Sequence, residues 1–414
     1  MPLPSRSSAV LAALLALALA RVDWTGVTMR CGVRLPLGSP PADAVPAFTP
    51  PDAAALAAST LRTAAVHLAG AIVGPESFAF GPDGTLYTGS ANGTVWAVRA
   101  GIARPLAHTG GRPVGLAWDP THARLLVACS VKGLLAVEQA AGRLTVRLLA
   151  SHAVAGVRGA PGGLVFLANS VAPLAPGQGG AGPAGGALFT SSMDTAPPPP
   201  AVPGAWWQPA AAATTALLSG LPTGRLLRFD EATGVTTAVA GGLWFANGVA
   251  LHPDGRSALV AETFGGRLVR VGLTGEGEGV VSTFARLPGF PDGVEMDGGG
   301  GDDEKGGGGP SLWVAIVEAP PRGLARALAR SRALRWLVSQ LPPALVAGGA
   351  PPLGLVVRVS AVDGRILETR ADAGGKVVRG VTHAVAGPDV VTGGGGRRLY
   401  LGSLGGEGVV SVAL

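Results

Sequence analysis

The 414-residue sequence has little charge, 14% of its residues, and only two cysteines. Scarce charge together with 66 glycines and 35 prolines excludes a coiled coil or helical bundle, because those folds need charged outer faces and few helix breakers. Two cysteines are too few for a small fold built on disulfides. The 47% hydrophobic content excludes disorder along the whole chain. The length allows one large all-β domain or two or three ordinary domains.

Lysine is also rare, since only Lys132, Lys305 and Lys376 are lysines among the 32 basic residues. The net charge of +6 is dilute, and no basic stripe with interleaved aromatic residues occurs. We therefore expect no nucleic-acid partner. The one local concentration of arginines lies between Arg322 and Arg335, where leucines recur at helical spacing. This pattern indicates an amphipathic helix that lies on the domain or against a membrane.

The sequence has one long hydrophobic run, the 12 residues from Ala9 to Ala20, which follow Arg6. This length suits the core of a signal peptide and falls short of the roughly 20 residues that span a bilayer. Ala18-Leu19-Ala20 would serve as a cleavage site, although an uncleaved anchor is the alternative. Residues 1–24 are thus predicted to be a signal peptide or membrane anchor. The chain would then enter the secretory pathway, in the lumen of the endoplasmic reticulum or vacuole, or face lumen or exterior from a membrane.

Two further features fit that route. Asn92-Gly93-Thr94 is a sequon, which predicts glycosylation at Asn92. Cys31 lies in a proline-rich approach segment, residues 25–55, and Cys129 lies in an apolar strand. The two cysteines could pair, but a buried unpaired thiol is at least as well supported for Cys129.

A pattern of apolar strand, tight turn, strand, glycine-rich turn and strand recurs along the chain. Its clearest copy runs from Ser77 to Gly89 and continues through Val98. Further copies occupy residues 115–137, 163–190, 248–271, 293–315 and 381–403. Six such units at a spacing of roughly 40 to 50 residues predict an all-β, six-bladed β-propeller over residues 56–414.

Three segments interrupt the regular spacing. Residues 173–213 and 298–310 are rich in Gly, Ala or Pro and are predicted to be disordered surface insertions. Residues 323–341 are predicted to be a helical insertion in the fifth unit. We expect the first blade to be completed by a strand from residues 56–72 or by the C-terminal strand Val409 to Leu414, because closure removes exposed sheet edges.

Polar residues stand at equivalent places, where each inner strand begins. They are Glu76, Asn169, Asn247 and Asp292. Inner strands of a propeller converge on its axis, so these side chains can meet there. Two carboxylates and two amide oxygens predict a site for Ca²⁺ or Mg²⁺. The alternative is that Asn-Gly and Asp-Gly are simply turn-forming pairs.

Several motifs resemble the strictosidine synthase-like family, which includes adipocyte plasma membrane-associated proteins. They are Gly74-Pro75-Glu76-Ser77, Arg112-Pro113-Val114-Gly115-Leu116, the stretch Thr223 to Leu251 around Asn247, Ala261-Glu262-Thr263 and Leu399-Tyr400-Leu401-Gly402-Ser403. The resemblance covers roughly residues 70 to 414. It implies a six-bladed propeller behind a signal or anchor. The related gluconolactonases and paraoxonases bind calcium through Glu, Asn, Asn and Asp, which match Glu76, Asn169, Asn247 and Asp292.

At several positions this sequence differs from the family patterns, and these differences disfavour some of the reactions that the resemblance implies. Strictosidine synthase resembles this chain but uses a last-blade glutamate, and the matching region here is Val381-Thr382-His383. Condensation of an amine with an aldehyde is therefore disfavoured. The paraoxonase histidine is replaced by Val114, and an aspartate expected after Asn169 is Ser170.

The remaining residues are sufficient for a metal-dependent esterase or lactonase of arylesterase type acting on a small-molecule substrate. The cation would polarise a carbonyl and activate water, Asp292 could orient that water, and His383 is a second catalytic candidate. The alternative for His383 is a hydrogen-bonded structural histidine. The alternative for the whole chain is a non-catalytic propeller that the ion stabilises. No Gly-x-Ser-x-Gly elbow, Cys/His metal spacing or phosphate loop occurs in the sequence.

Overall fold

The computed structural model describes residues 26–28, 34–140, 142–194, 209–298, 309–320, 322–341 and 352–414. In these residues, six four-stranded antiparallel sheets follow one another along the chain. The first strand of each sheet contacts the first strand of the next, and the first strand of the last sheet contacts that of the first. This closed ring of inner strands confirms the predicted six-bladed β-propeller.

The blades are formed from consecutive strands, innermost first. Blade 1 has β4 (Phe78–Phe80), β5 (Leu86–Gly89), β6 (Thr94–Arg99) and β7 (Ile102–His108), and blade 2 has β8 (Pro113–Asp119), β9 (Arg124–Cys129), β10 (Gly133–Ala140) and β11 (Arg143–Ala150). Blade 3 has β14 (Phe166–Leu174), β15 (Gly186–Met193), β16 (Gly224–Asp230) and β17 (Thr236–Leu243), and blade 4 has β18 (Ala246–Leu251), β19 (Ser257–Glu262), β20 (Arg267–Gly272) and β21 (Val281–Arg286). Blade 5 has β22 (Phe290–Met296), β23 (Ser311–Glu318), β24 (Gly354–Ser360) and β25 (Ile366–Asp372), and blade 6 has β26 (Val381–Pro388), β27 (Arg397–Ser403), β28 (Val409–Ala413) and β3 (Ala65–His67).

The other elements lie outside the blades. Two short hairpins are β1 (Gly26–Thr28) with β2 (Arg34–Pro36), and β12 (His152–Ala153) with β13 (Gly163–Leu164). The helices are α1 (Ala53–Ala58), α2 (Pro209–Ser219), α3 (Arg322–Arg330) and α4 (Arg332–Ser339). Single 3-10 turns occupy Ala42–Ala44, Thr60–Thr63, Val157–Gly159, Gln178–Gly180 and Gly275–Gly277.

The hydrophobic core lies between neighbouring blades. Leu259 and Leu268 of blade 4, for example, belong to one buried cluster with Val314 and Val357 of blade 5. Second strands such as β9 are buried along their whole length, which explains their nearly continuous apolar sequence. Outermost strands face solvent on one side, as the exposed Leu148 of β11 shows.

The ring closes differently from the sequence-based expectation. We expected either the segment from residues 56–72 or the C-terminal strand to complete blade 1. Instead these segments pair with each other, with Val66 opposite Val410, and β3 becomes the outer strand of blade 6. Blade 1 already has four strands of its own, so the missing strand belonged to the last blade. This pairing of strands from both ends of the domain closes the propeller.

Much of the predicted disorder is also wrong within the described residues. Within residues 173–213, which were predicted to be disordered, β14 extends to Leu174, and a 3-10 turn buries Gly179 next to Leu174 and Leu273. Residues 209–213 belong to α2, where Ala212 is fully buried. Alanine is the best helix former, so an alanine-rich tract can build a packed helix as readily as a disordered insertion. Residues 195–208 and 299–308 lie outside the described residues. Where a helix is predicted over 323–341, the structure has α3 and α4.

The predicted signal or anchor, residues 1–24, and Cys31 lie outside the described residues. Among the residues that are described, no helix has both the length and the apolar character needed to cross a membrane. Cys129 is fully buried, and this burial raises the pKa of its thiol. Asn92 is exposed in the turn between β5 and β6, where glycosylation stays a prediction.

Candidate metal centre and adjoining cavity

Asn169, Asn247 and Asp292 each occupy an irregularity in an inner strand. The pairing register of β14 shifts between Ala168 and Val171, and those of β18 and β22 shift around Asn247 and Asp292 in the same way. A β-bulge of this kind releases residues from the ladder and redirects their side chains. The three side chains consequently turn toward the propeller axis.

The backbone before these residues follows a shared pattern. Gly74, Leu167 and Phe245 have positive φ angles of 64°, 50° and 67°, and each stands two residues before a candidate ligand, Glu76, Asn169 or Asn247 respectively. Leucine and phenylalanine adopt this conformation at a cost of order 1 kcal/mol or more. Because the left-handed conformation recurs at this position, the backbone approaches the centre in the same way in three blades.

The glycines after the ligands allow close packing rather than turns. A Cβ atom on Gly248 would lie 2.4 Å from the backbone nitrogen of Val294, and one on Gly293 would lie 2.6 Å from the carbonyl oxygen of Thr382. Asn247-Gly248 and Asp292-Gly293 both lie inside inner strands. The alternative that these pairs are turn formers is therefore wrong, and the glycines let adjacent blades approach at the axis.

The four side chains line one small central cavity of about 10 Å³. Nδ2 of Asn169 donates a hydrogen bond to Oγ of Ser192 at 3.1 Å, and Nδ2 of Asn247 donates to Oγ1 of Thr263 at 3.3 Å. Because these amide nitrogens are engaged by the surrounding strands, the amide oxygens are left for the centre. Oδ1 of Asn247 and Oε2 of Glu76 are buried and have no hydrogen-bond partner.

Both carboxyl groups of the centre are deeply buried, and burial shifts their pKa values. Desolvation raises the pKa of Glu76 to about 7, although the Arg112 guanidinium acts in the opposite direction. Desolvation, with the nearby charge of Glu76, raises the pKa of Asp292 well above its usual range, against a hydrogen bond from Asn247. Two neighbouring carboxylates in a buried site require a compensating positive charge.

The donor set fits a hard divalent cation. Carboxylate and amide oxygens are the preferred ligands of Ca²⁺ and Mg²⁺, and the two buried oxygens that accept no hydrogen bond are the feature that a bound ion would satisfy. No group of three or more His, Cys, Asp or Glu side chains that could hold a metal occurs in the described part of the chain. A site of two carboxylates and two amides is not a group of that kind, because asparagine supplies half of its ligands.

The remaining two blades contribute other residues to the centre. Val114 of blade 2 and Thr382 of blade 6 line the small cavity at the matching bulges of β8 and β26. Oγ1 of Thr382 donates a hydrogen bond to the carbonyl oxygen of Glu76 at 2.8 Å. Thr382 thus fixes the backbone of Glu76. The last-blade glutamate of strictosidine synthase would instead bring a carboxylate to this region.

His383 lines the small cavity but not the larger cavity beside it. It is 5% exposed, and its Nε2 lies 3.6 Å from Oε2 of Glu295, while its Nδ1 has no hydrogen-bond partner. Asp292, in contrast, lines both cavities. The structure therefore brings Asp292, and not His383, to the place where a bound molecule could reach it.

The larger cavity, which the sequence-based reasoning missed, has a volume of about 410 Å³. All four candidate ligands reach it, and Phe245, Phe264 and Phe290 surround them with aromatic surface. Helices α2, α3 and α4 supply apolar walls, including Leu217 and Leu328. Apart from Glu76 and Asp292, the only carboxylate that lines it is Glu318, within the described residues. Glu318 is exposed toward this space, and partial desolvation raises its pKa.

A buried ion pair supports the aromatic wall. Glu262, which is fully buried, accepts hydrogen bonds from the backbone nitrogen of Trp244 at 2.9 Å and from Nε of Arg267 at 2.5 Å. Trp244 directly precedes Phe245, which adopts the left-handed conformation. Glu262 therefore fixes the corner that carries Phe245 and Asn247.

Comparison with known protein families gives two matches. The family model described as strictosidine synthase matches residues 207–276, and the model for the N-terminal part of strictosidine synthase-like proteins matches residues 59–98. The first match contains Asn247 and the second contains Glu76. The chain is related to the strictosidine synthase-like proteins.

Individual relatives agree with this assignment. Strictosidine synthase-like protein 10 of Arabidopsis thaliana is 28% identical over 363 residues, which cover 80% of this chain and 85% of the relative. The adipocyte plasma membrane-associated protein of Salmo salar is 30% identical over 54% of this chain, a match that spans about half, 51%, of that protein.

Among solved structures, a gluconolactonase from Xanthomonas campestris has a TM-score of 0.50 and 17% sequence identity, and the match covers 94% of this chain and 97% of that one. A likeness at this level supports the propeller fold alone. The family resemblance and the fold predicted from the sequence are both confirmed.

Proposed function

We propose that the chain binds a divalent cation, Ca²⁺ or alternatively Mg²⁺, through Glu76, Asn169, Asn247 and Asp292. The observation that supports this proposal is a pair of buried oxygens that accept no hydrogen bond, Oδ1 of Asn247 and Oε2 of Glu76, the second of which has only the Arg112 guanidinium 3.6 Å away. An ion there would balance the two carboxylates and join blades 1, 3, 4 and 5.

We further propose that the centre hydrolyses an ester or lactone of a small molecule. A cation at this position would supply Lewis-acid polarisation of a carbonyl and activation of water. The phenylalanines and helices would bind the apolar part of the substrate and exclude bulk water, which strengthens electrostatic interactions with the reacting group. Asp292 borders both cavities, so its carboxylate can orient water beside the carbonyl.

The relatives support a secretory or membrane-associated location, which we propose for this chain as well. The name of the Salmo salar relative places that protein at the plasma membrane. The apolar run Ala9–Ala20 would provide either a signal or an anchor for the same route.

Two measurements on the full chain separate binding from catalysis. Isothermal titration with Ca²⁺ and Mg²⁺ should show one site in the chelator-stripped protein, and Asn247→Ala should weaken it at least tenfold. Asn92→Ala is the matched control, because Asn92 is an exposed asparagine in a turn. Aryl esters and lactones should then be hydrolysed in a manner that requires the cation and Asn247. Cation binding without any hydrolysis would instead support a non-catalytic propeller that the ion stabilises.

A further inference from the structure

Helices α3 and α4 form the outer wall at one side of the larger cavity. Ala325 and Ala329 are buried beneath the pair, whereas Leu324, Leu337 and Leu341 are 45%, 57% and 43% exposed. Leu324 and Leu341 line the cavity, whereas Leu337 does not. The helix pair therefore presents apolar side chains both to the cavity mouth and to its outer surroundings.

The same pair carries charge of one sign. Five arginines lie between residues 322 and 335, and no aspartate or glutamate occurs from 322 to 341. Arg330 and Arg332 are exposed. Arg335 differs from them, because it is fully buried and donates to the carbonyl oxygens of Leu328 and Gly38. One arginine thus fastens the helices to the domain while others face outward.

The N-terminal part of the chain runs along this face. The backbone nitrogen of Gly38 donates to the carbonyl oxygen of Ser219 at the end of α2, and Nε of Arg326 donates to that of Pro46 at 3.1 Å. Strand β1 lies against α2 and α4. Gly26, the first described residue, therefore lies beside the helix pair, and the apolar run Ala9–Ala20 precedes it in the sequence.

We propose that α3 and α4 dock on the surface of a bilayer that contains anionic lipids, with the mouth of the larger cavity facing the lipid. Exposed leucines next to arginines are the composition of helices that lie in the membrane interface. Arginines near the surface are attracted to anionic headgroups, and no acidic residue within the helix pair opposes them. Attachment of the apolar N-terminal run at the same face would hold the helices against the bilayer. Apolar molecules could then enter the cavity directly from the membrane, and docking itself does not depend on hydrolysis.

The test measures the local environment of the helix surface, because the N-terminal run could bind vesicles on its own. Full-length Cys31→Ser protein carrying Leu337→Cys is labelled with a polarity-sensitive dye, since Cys129 is buried. Vesicles of phosphatidylcholine with phosphatidylserine should shift the emission to the blue, and phosphatidylcholine alone should have a much smaller effect. Adding Arg330→Gln and Arg332→Gln should raise the lipid concentration needed for the shift by roughly tenfold.

A dye at Leu148→Cys provides the control, because Leu148 is 53% exposed on the outer strand of blade 2. Its emission should remain that of a water-exposed dye with both kinds of vesicle. If the Leu337 dye behaves like the Leu148 dye while the protein sediments with vesicles, the N-terminal run alone binds lipid and the proposal is overturned. An equal shift with neutral and anionic vesicles would contradict the role given to the arginines.

Discussion

Nε of Arg112 lies 3.6 Å from Oε2 of Glu76, and both side chains are about 5% exposed. Nη2 of the same arginine donates to the carbonyl oxygens of Gly74 and Leu404, which fixes the guanidinium behind the centre. One fixed positive charge faces two buried carboxylates, those of Glu76 and Asp292. The centre therefore retains an uncompensated negative charge when both are ionised, and this imbalance makes it suited to a cation.

Replacing Glu76 by Gln should change stability in opposite directions with and without the ion. In chelator above pH ~8, where Glu76 with its pKa of about 7 is mostly ionised, Glu76→Gln should raise the free energy of unfolding by about 1–3 kcal/mol, because it removes one buried negative charge. With saturating Ca²⁺, the variant should gain much less stability than the parent. Thermal unfolding of both proteins with and without Ca²⁺ measures the two effects. Asp363→Asn, at an exposed turn, is the control and should leave the gain from Ca²⁺ unchanged.

Adding a methyl group at Gly248 should disrupt the contact between blades 4 and 5. The new Cβ would lie 2.4 Å from the nitrogen of Val294 and 2.5 Å from the carbonyl oxygen of Asp292, so backbone must move. We expect Gly248→Ala to destabilise the protein by about 2 kcal/mol or more in urea unfolding, and to weaken Ca²⁺ binding. Gly277→Ala serves as the comparison, since nothing lies within 4 Å of its added Cβ. Similar stability of the two variants would contradict this account of the glycine.

Asp254 should make the stability of blade 4 depend on pH. Burial acts to raise its pKa, but backbone N–H groups of Arg256 and Ser257, the Ser257 hydroxyl and Arg270 together lower it well below 3.8. A lowered pKa means that the folded state prefers the ionised form, so this stabilisation is present above pH ~4 and is lost as the pH falls further. Asp254→Asn should cost about 1 kcal/mol at neutral pH, a value limited by solvent screening.

Calorimetric unfolding of the parent and Asp254→Asn between pH ~7 and ~3 checks this expectation. The difference in melting temperature should narrow as the pH decreases below ~4. A difference that stays constant with pH would show that the carboxylate charge does not contribute.

The inner strands of the propeller could be predicted because their residues are apolar and because the strands recur at a regular spacing along the sequence. Glu76, Asn169, Asn247 and Asp292 stand at the same point of four of the six repeats, so a common axis follows from the fold class alone. The bulges that aim them could not be predicted, because a register shift depends on hydrogen bonding to the neighbouring strand. For the same reason Gly248 was open to interpretation as a turn residue until the approach of Val294 was known.

The larger cavity could not be predicted, because its walls come from segments distant in sequence. Phe245 precedes β18, Phe264 follows β19 and Phe290 begins β22, and only the ring of blades brings the three together. A usable signal was present in Phe245, two residues before Asn247 and equivalent to Leu167 before Asn169. The sequence does not distinguish helix α2 from a disordered insertion, because both can have an alanine-rich composition. The Arg and Leu residues that recur at helical spacing in α3 and α4 predicted a helix but not its contact with the cavity.

Arg335 should control the order of the helix pair without affecting the propeller beneath it. It donates to the carbonyl oxygens of Leu328 and Ala329 at the end of α3 and to that of Gly38, and burial lowers its pKa to about 10. Arg335→Met would leave these buried carbonyls without their donor, so we expect a local loss of about 2–4 kcal/mol. Hydrogen exchange measured by mass spectrometry should increase in α3, α4 and residues 37–46.

Exposed Arg330→Met, which makes the same chemical change at a surface position, should leave exchange close to the parent's. Peptides from β18 and β22 should exchange equally slowly in all three proteins, because these strands carry Asn247 and Asp292 of the candidate metal centre and Arg335 does not contact them. Exchange that rises throughout the propeller would mean that the helix pair is part of one cooperative unit with the blades. The wall of the cavity could then not open separately, and a substrate would have to enter past closed helices.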